Sequence, residues 1–131
     1  MAVDASWWDI HNPEGFTGSR WCHTPYPGTH RFLPLAFVNS GAAALELAQQ
    51  AECKRAVLLG YDMGYAQDGK RHWHADHTGP GGNAGGIDKW PALFNRTAPR
   101  LRGMEVLNAS RVSALTQFKR VDLHEALRIA V

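Results

Sequence analysis

The most regular stretch of the chain begins at Asn39-Ser40 and runs to residue 60. The segment AAALELAQQAE has high helix propensity, and Asn39 or Ser40 is a good N-cap for it. Residues 53–55 (Cys-Lys-Arg) end the helix, and residues 56–60 (AVLLG) form a short apolar run of the kind found in buried parallel strands. The pattern predicts a helix, a tight turn and a buried strand.

A second helix–strand pair follows later in the chain. Apolar positions in residues 87–102 are spaced for one helical face, and Pro91 suits the first turn of that helix. Residues 104–107 (MEVL) predict a second buried strand, and residues 121–130 a short amphipathic helix.

These elements predict the fold class. We expect one α/β domain over residues 1–131, because the chain has the length of a single domain. Residues 37–131 would form a small, mostly parallel Rossmann-like sheet with flanking helices, without its first βα unit. Residues 1–36 would be irregular and aromatic-rich, with one short helix around residues 5–11. There, Trp7 and Trp8 are either core anchors or a patch that faces a partner.

Composition narrows the function classes. A hydrophobic content of 44% with 20% charged residues is that of a globular protein. No apolar run approaches the roughly 20 residues that span a bilayer, and the first residues do not resemble a secretion signal. We therefore expect a cytoplasmic protein that does not associate with membranes, with Cys22 and Cys53 as thiols.

The net charge of +2 is unevenly distributed, because residues 89–131 hold eight basic and three acidic side chains. This final third is either a solvated surface or a contact for an anionic partner. Since no nucleic-acid-binding motif is present, the phosphate of a small ligand is the better candidate partner. The cations concerned are Lys89, Arg96, Arg100, Arg102 and Arg111.

A long loop, residues 61–86, contains the string HWHADH. Its H-x-H-x-D-H pattern resembles the zinc-binding motif of metallo-β-lactamase-type hydrolases, with His72, His74, Asp76 and His77 as the candidate ligands of a divalent metal. The alternative is an exposed histidine-rich loop without metal. Only His124 follows as a further histidine, whereas that hydrolase fold needs more ligands downstream.

Three polar clusters flank the predicted strands. In an open α/β sheet ligands bind at the carboxyl ends of the strands, so the clusters are expected to converge into a ligand site. Caps and turns favour the same residue types, which is the alternative explanation. The clusters are Asn39-Ser40-Gly41, Gly60-Tyr61-Asp62 and Asn108-Ala109-Ser110.

The stretches VNSGAAALELAQQAECKRAVLLGYDM, HWHADH, EVLNASRVSAL and FKRVDLHEAL resemble a group of phage and prophage proteins of unassigned activity. More distantly, they are similar to bacterial oligosaccharide sialyltransferases, motility accessory factors and pterin pyrophosphokinase-like proteins. The likeness covers residues 38 to about 127. In those families a strand and a turn that binds the nucleotide precede the matched segment. This chain shows no such strand and turn ahead of the matched stretch.

The resemblance implies a nucleotide site. Ser40 and Gly41, with Asn39 beside them, would hold a phosphate. Asn108 and Ser110 would contact the base or the ribose.

The resemblance also implies catalytic residues. Tyr65 would donate to the leaving phosphate, and Asp62 would orient the site. His77 or His74 would be the base on an acceptor hydroxyl, a task that suits a neutral histidine.

Three functions follow as hypotheses. The first is a phage-type transferase-like protein that binds a nucleotide or nucleotide-sugar in the cytoplasm of a bacterial host and performs glycosyl transfer. The second is a non-catalytic phage protein that binds a host protein, or a second copy of itself, through the aromatic and basic regions. The third is a zinc-dependent hydrolase.

Overall fold

A computed structural model describes residues 1, 5–11, 15–33, 39–70 and 86–128. Its four helices are α1 (Ala5–His11), α2 (Ser40–Gln50), α3 (Trp90–Thr97) and α4 (Leu123–Leu127). The five strands are β1 (Trp21–Cys22), β2 (His30–Arg31), β3 (Arg55–Leu58), β4 (Glu105–Asn108) and β5 (Lys119–Arg120). Short 3₁₀ turns at Ile87–Lys89 and Ala98–Arg100 extend α3 at both ends.

The strands form two parallel sheets. In the larger sheet β4 lies between β3 and β5, and all three strands are parallel. The register pairs Arg55 with Glu105 and Leu58 with Asn108, so β3 and β4 end level with each other. The smaller sheet pairs β1 with β2. The α/β class with parallel strands is therefore confirmed.

The elements that the sequence predicted are present with shifted bounds. Helix α2 begins at Ser40 behind the N-cap Asn39, whose Oδ1 accepts from the N–H of Ala42 at 2.9 Å. Strand β3 ends two residues before Gly60, which takes a positive φ of 69° and turns the chain. Strand β4 runs one residue further than expected, to Asn108.

Two expectations need correction. Residues 1–36 are not wholly irregular, because β1 and β2 pair there. Strand β5 was not predicted either. Each of these strands has two residues, too few for an alternating pattern to be visible in the sequence.

Helix α2 is buried on two sides. Its Leu45 packs into the main core with Leu58 and Phe94, while Ala43 contacts Phe32 in a second, smaller cluster. Small side chains along α2 let both layers approach the helix closely. The alanine-rich composition that favours helix formation thus also serves packing.

The two N-terminal tryptophans have different environments. Trp8 is buried at 3% exposure, whereas the neighbouring Trp7 is 42% exposed and meets it edge-on. One residue is therefore a core anchor and the other faces outward.

Cys22 is buried and Cys53 exposed, with no disulfide between them. Within the described residues, every helix is too short or too polar to cross a bilayer.

Candidate functional site

The first turn of α2 meets the segments that follow β3 and β4, and Tyr61 joins them. The Tyr61 hydroxyl donates to the carbonyl oxygen of Gly41 at 3.2 Å. The backbone N–H of Tyr61 donates to Oγ of Ser110 at 2.9 Å. The structure thus brings together the three polar clusters that flank the strands, at the carboxyl ends of β3 and β4.

Gly41 is fixed by its contact with Tyr61. A Cβ at position 41 would lie 3.0 Å from Cε1 of the Tyr61 ring and 3.3 Å from Oδ1 of Asn39. Such distances are shorter than ordinary van der Waals contacts. The Tyr61 ring can approach the helix backbone this closely because residue 41 has no side chain.

The α2 turn presents hydrogen-bond donors. The N–H groups of Ser40 and Gly41 have no acceptor inside the helix, since they belong to its first turn. Ser40 is exposed, and Asn39 is half-buried. Nδ2 of Asn39 is buried and has no hydrogen-bond partner among the described residues. This concentration of donors at a helix N-terminus favours an anion.

Asn108 and Ser110 hold the loops together. Both are buried, and Oδ1 of Asn108 accepts from the N–H of Ser110 at 3.1 Å. Nδ2 of Asn108 donates to Oγ of Ser113 at 2.9 Å, and that hydroxyl donates to the carbonyl of Tyr61 at 2.6 Å. Asn108 and Ser110 thus hydrogen-bond to each other and to the segments that follow β3 and β4. Their contact with a base or ribose stays a prediction.

Asp62 and Tyr65 lie on the surface beyond β3. The backbone carbonyl of Asp62 accepts from the N–H of Ala114 at 2.8 Å, which leaves the exposed carboxylate beside the strand ends. Tyr65 is 50% exposed. Both side chains are accessible to a ligand.

The candidate base and the candidate metal ligands belong to the histidine-rich segment of the loop. His72, His74, Asp76 and His77 lie outside the described residues. Within the part of the chain that is described, no cluster of three or more histidine, cysteine or acidic side chains could hold a metal.

Burial and charge set the electrostatics of the site. Burial raises the pKa of the Tyr61 hydroxyl above its ordinary value. Like any tyrosine, it is a protonated donor at neutral pH. Nearby, the guanidinium of Arg120 donates to the carbonyls of Ser110 and Arg111 at 2.9 and 3.0 Å. This places a positive charge against the loop that follows β4.

Sequence reasoning included Tyr61 in a polar cluster but gave it no role, and it missed Ser113 and Arg120. No sequence motif marks these residues, and the hydrogen bonds of Tyr61 to Gly41, Ser110 and Ser113 join segments that are distant in sequence. The cations expected to meet an anionic partner are all exposed, which fits a solvated surface as well as a binding surface; they are Lys89, Arg96, Arg100, Arg102 and Arg111.

Fold and site together define an α/β protein with a donor-rich helix turn at the carboxyl ends of a parallel sheet. The chain matches no protein-family model, no curated protein and no solved structure.

Proposed function

We propose that this chain is a phage-type, transferase-like protein that binds a nucleotide or nucleotide-sugar at the carboxyl ends of β3 and β4. In this proposal the sheet is a small Rossmann-like arrangement. The supporting observation is the pair of hydrogen bonds from Tyr61 to Gly41 and to Ser110, which hold a helix N-terminus against two strand ends. This is where open α/β sheets bind phosphorylated ligands.

The phosphate lies at the first turn of α2. The N–H groups of Ser40 and Gly41 donate to it, together with the Ser40 hydroxyl. The exposure of Ser40 supports this assignment, because it leaves the hydroxyl accessible to a ligand. The Arg120 guanidinium adds positive charge to the loop after β4, where it donates to the carbonyl of Ser110.

Glycosyl transfer is the reaction class that the sequence resemblance favours. His74 or His77 accepts the proton of an acceptor hydroxyl, whose oxygen bonds to the anomeric carbon of the sugar. The nucleotide leaves with the electrons of the broken bond, and Tyr65 donates a hydrogen bond to its phosphate. Asp62, exposed in the segment that follows β3, orients the sugar or ribose hydroxyls.

A thermal-shift screen of the wild-type protein tests the proposal. The panel contains cytidine and uridine nucleotides and their sugar conjugates. A ligand that binds the folded state raises Tm by mass action, and calorimetry then gives its Kd. Ser40→Ala removes one donor and should weaken binding about 3- to 10-fold while the protein stays folded.

Ser19→Ala is the matched control, because Ser19 is also exposed but lies far from α2 in sequence, before β1. We expect it to leave the Kd unchanged. Equal affinities of the wild type and Ser40→Ala would contradict a phosphate site at this turn.

A second candidate function is supported by the surface of α1. Trp7 is 42% exposed and Ile10 is 55% exposed, one helical turn apart. Exposed aromatic and aliphatic side chains of this kind are typical of protein-binding surfaces. The partner would be a host protein or a second copy of the chain.

Sedimentation at increasing concentration tests self-association, and affinity purification from a bacterial lysate tests for a host partner. Trp7→Ser should abolish either interaction, because it removes the larger of the two exposed apolar side chains. Val112→Ser is the control, since Val112 is 74% exposed but lies outside α1. Binding that survives Trp7→Ser would rule out this surface.

A further inference from the structure

We propose that Tyr61 is the positioning residue of the ligand site, and that it preforms the phosphate-binding turn of α2 without touching the ligand. The inference rests on the proposed function and adds a residue to which neither the motif nor the resemblance gave a role. Tyr61 acts on one peptide unit in the first turn of α2, whose orientation it fixes through a hydrogen bond.

That unit is the peptide between Gly41 and Ala42, and it is held from both ends. Its carbonyl oxygen accepts from the Tyr61 hydroxyl at 3.2 Å. Its N–H donates to Oδ1 of Asn39 at 2.9 Å. Two side chains from different parts of the chain therefore fix its orientation, and with it the direction of the neighbouring N–H groups of Ser40 and Gly41.

The Tyr61 ring is itself held against the core. It meets Phe94 edge-on, with ring centroids 6.3 Å apart, and Phe94 is fully buried. The ring also lies so close to Gly41 that a Cβ there would be 3.0 Å from Cε1. The ring has little room to move, so the hydroxyl stays in place.

The backbone of Tyr61 is held as firmly as its side chain. The N–H donates to Ser110 at 2.9 Å and the carbonyl accepts from Ser113 at 2.6 Å. Both serines are hydrogen-bonded to Asn108, the buried last residue of β4. The end of β4 is therefore connected through Tyr61 to the first turn of α2.

A preformed turn binds its ligand more tightly, because the donors need not be ordered when the ligand arrives. The Tyr61 hydroxyl is protonated at neutral pH, as in any tyrosine, and can donate. The hydroxyl bonds to a backbone carbonyl and not to a ligand, so its effect on binding is indirect.

The experiment compares the wild type, Tyr61→Phe and the control Tyr26→Phe, which alters a tyrosine of the N-terminal region. Tyr61→Phe keeps the ring and removes only the hydroxyl. The probes are uridine diphosphate and cytidine monophosphate, together with uridine and cytidine, which lack the phosphate. Calorimetry gives each Kd, and hydrogen exchange reports the protection of the Ala42 and Ala43 amides in the ligand-free protein.

We expect Tyr61→Phe to weaken the nucleotide that binds the wild type about 5- to 10-fold and to leave the matching nucleoside unchanged. Exchange of the two amides should become faster in the same variant and stay at the wild-type rate in Tyr26→Phe. A general loss of stability would weaken nucleotide and nucleoside alike, so this selective loss separates positioning from a purely structural role.

Each opposing outcome has its own meaning. Unchanged amide exchange in Tyr61→Phe overturns the inference, whatever the ligand. Equal nucleotide affinity in the wild type and Tyr61→Phe also overturns it while leaving the proposed function intact. A wild type that binds neither nucleotide contradicts the proposed function itself.

Discussion

Asn108 and Ser113 form the hydrogen bond on which the strand-end loops depend. Nδ2 of Asn108 donates to Oγ of Ser113 at 2.9 Å, and the same hydroxyl donates to the carbonyl of Tyr61 at 2.6 Å. Asn108 also accepts from the N–H of Ser110. One fully buried side chain thus links the loop after β4 to the residue that contacts α2.

Asn108→Ala should therefore destabilise the protein. Its side chain has two hydrogen-bond partners, and buried groups that lose their partners cost about 1 to 3 kcal/mol each. We expect the free energy of unfolding to fall by about 2 to 3 kcal/mol in urea denaturation. Asn95→Ala is the control, because Asn95 is exposed and its Oδ1 accepts from Nε2 of Gln117. A similar loss in both variants would show that Asn108 has no special role.

Gly41→Ala should not stabilise α2. An alanine inside a helix is ordinarily favoured over glycine by about 1 kcal/mol. Here the new Cβ would press against the Tyr61 ring, which Phe94 holds in place. We expect the gain to be cancelled or reversed in the wild-type background and to appear in a Tyr61→Ala background. Thermal denaturation of the four proteins forms a double-mutant cycle, and strictly additive effects would refute the contact.

Asn39→Asp should separate stability from binding. Aspartate keeps the oxygen that caps Ala42 and places a negative charge at the helix N-terminus, so α2 should be as stable as in the wild type. The same charge repels a phosphate, and nucleotide binding should weaken about 10-fold or more. Asn39→Ala, in contrast, should cost about 1 kcal/mol of stability through loss of the cap. An Asn39→Asp variant that binds nucleotide normally would contradict the phosphate site.

Alkaline pH should destabilise the protein through Tyr61. Burial raises the pKa of Tyr61 in the folded state above its ordinary value near 10. A group whose pKa is raised on folding contributes stability that is fully present below the unfolded pKa and is lost as pH rises through the folded one. We expect the free energy of unfolding to fall above pH ~10. In Tyr61→Phe the decline should be shallower, as measured by denaturation at stepped pH. Parallel curves for the two proteins would mean that Tyr61 ionises freely.

Removal of divalent metal should leave nucleotide binding intact. The donors at the α2 turn are N–H and hydroxyl groups, which hold a phosphate without a bridging cation. We expect chelator-washed protein to show the same thermal shift with nucleotide as untreated protein. A shift with zinc alone that disappears in His72→Ala and His74→Ala would instead favour the hydrolase hypothesis for the H-x-H-x-D-H motif.

The sequence by itself determined the parts of the fold that depend on local signals. Asn39 caps α2 because its short side chain reaches the N–H of Ala42, three residues away. The apolar runs at β3 and β4 predict buried parallel strands. The parallel pairing is confirmed, but burial is only partial, since Leu58 is the one buried residue of β3 and Leu59 is exposed. The sequence also predicts that the polar clusters lie close together, because parallel strands end at one edge of a sheet.

Only the tertiary structure decided what joins those clusters. The hydrogen bonds of Tyr61 span 20 residues to Gly41 and 49 residues to Ser110, distances over which no local pattern operates. The same holds for Trp7 and Trp8, adjacent in sequence but opposite in exposure. The role of each of these side chains depends on which residues from distant parts of the sequence pack against it. The assembled core sets those contacts, and the neighbours along the chain do not.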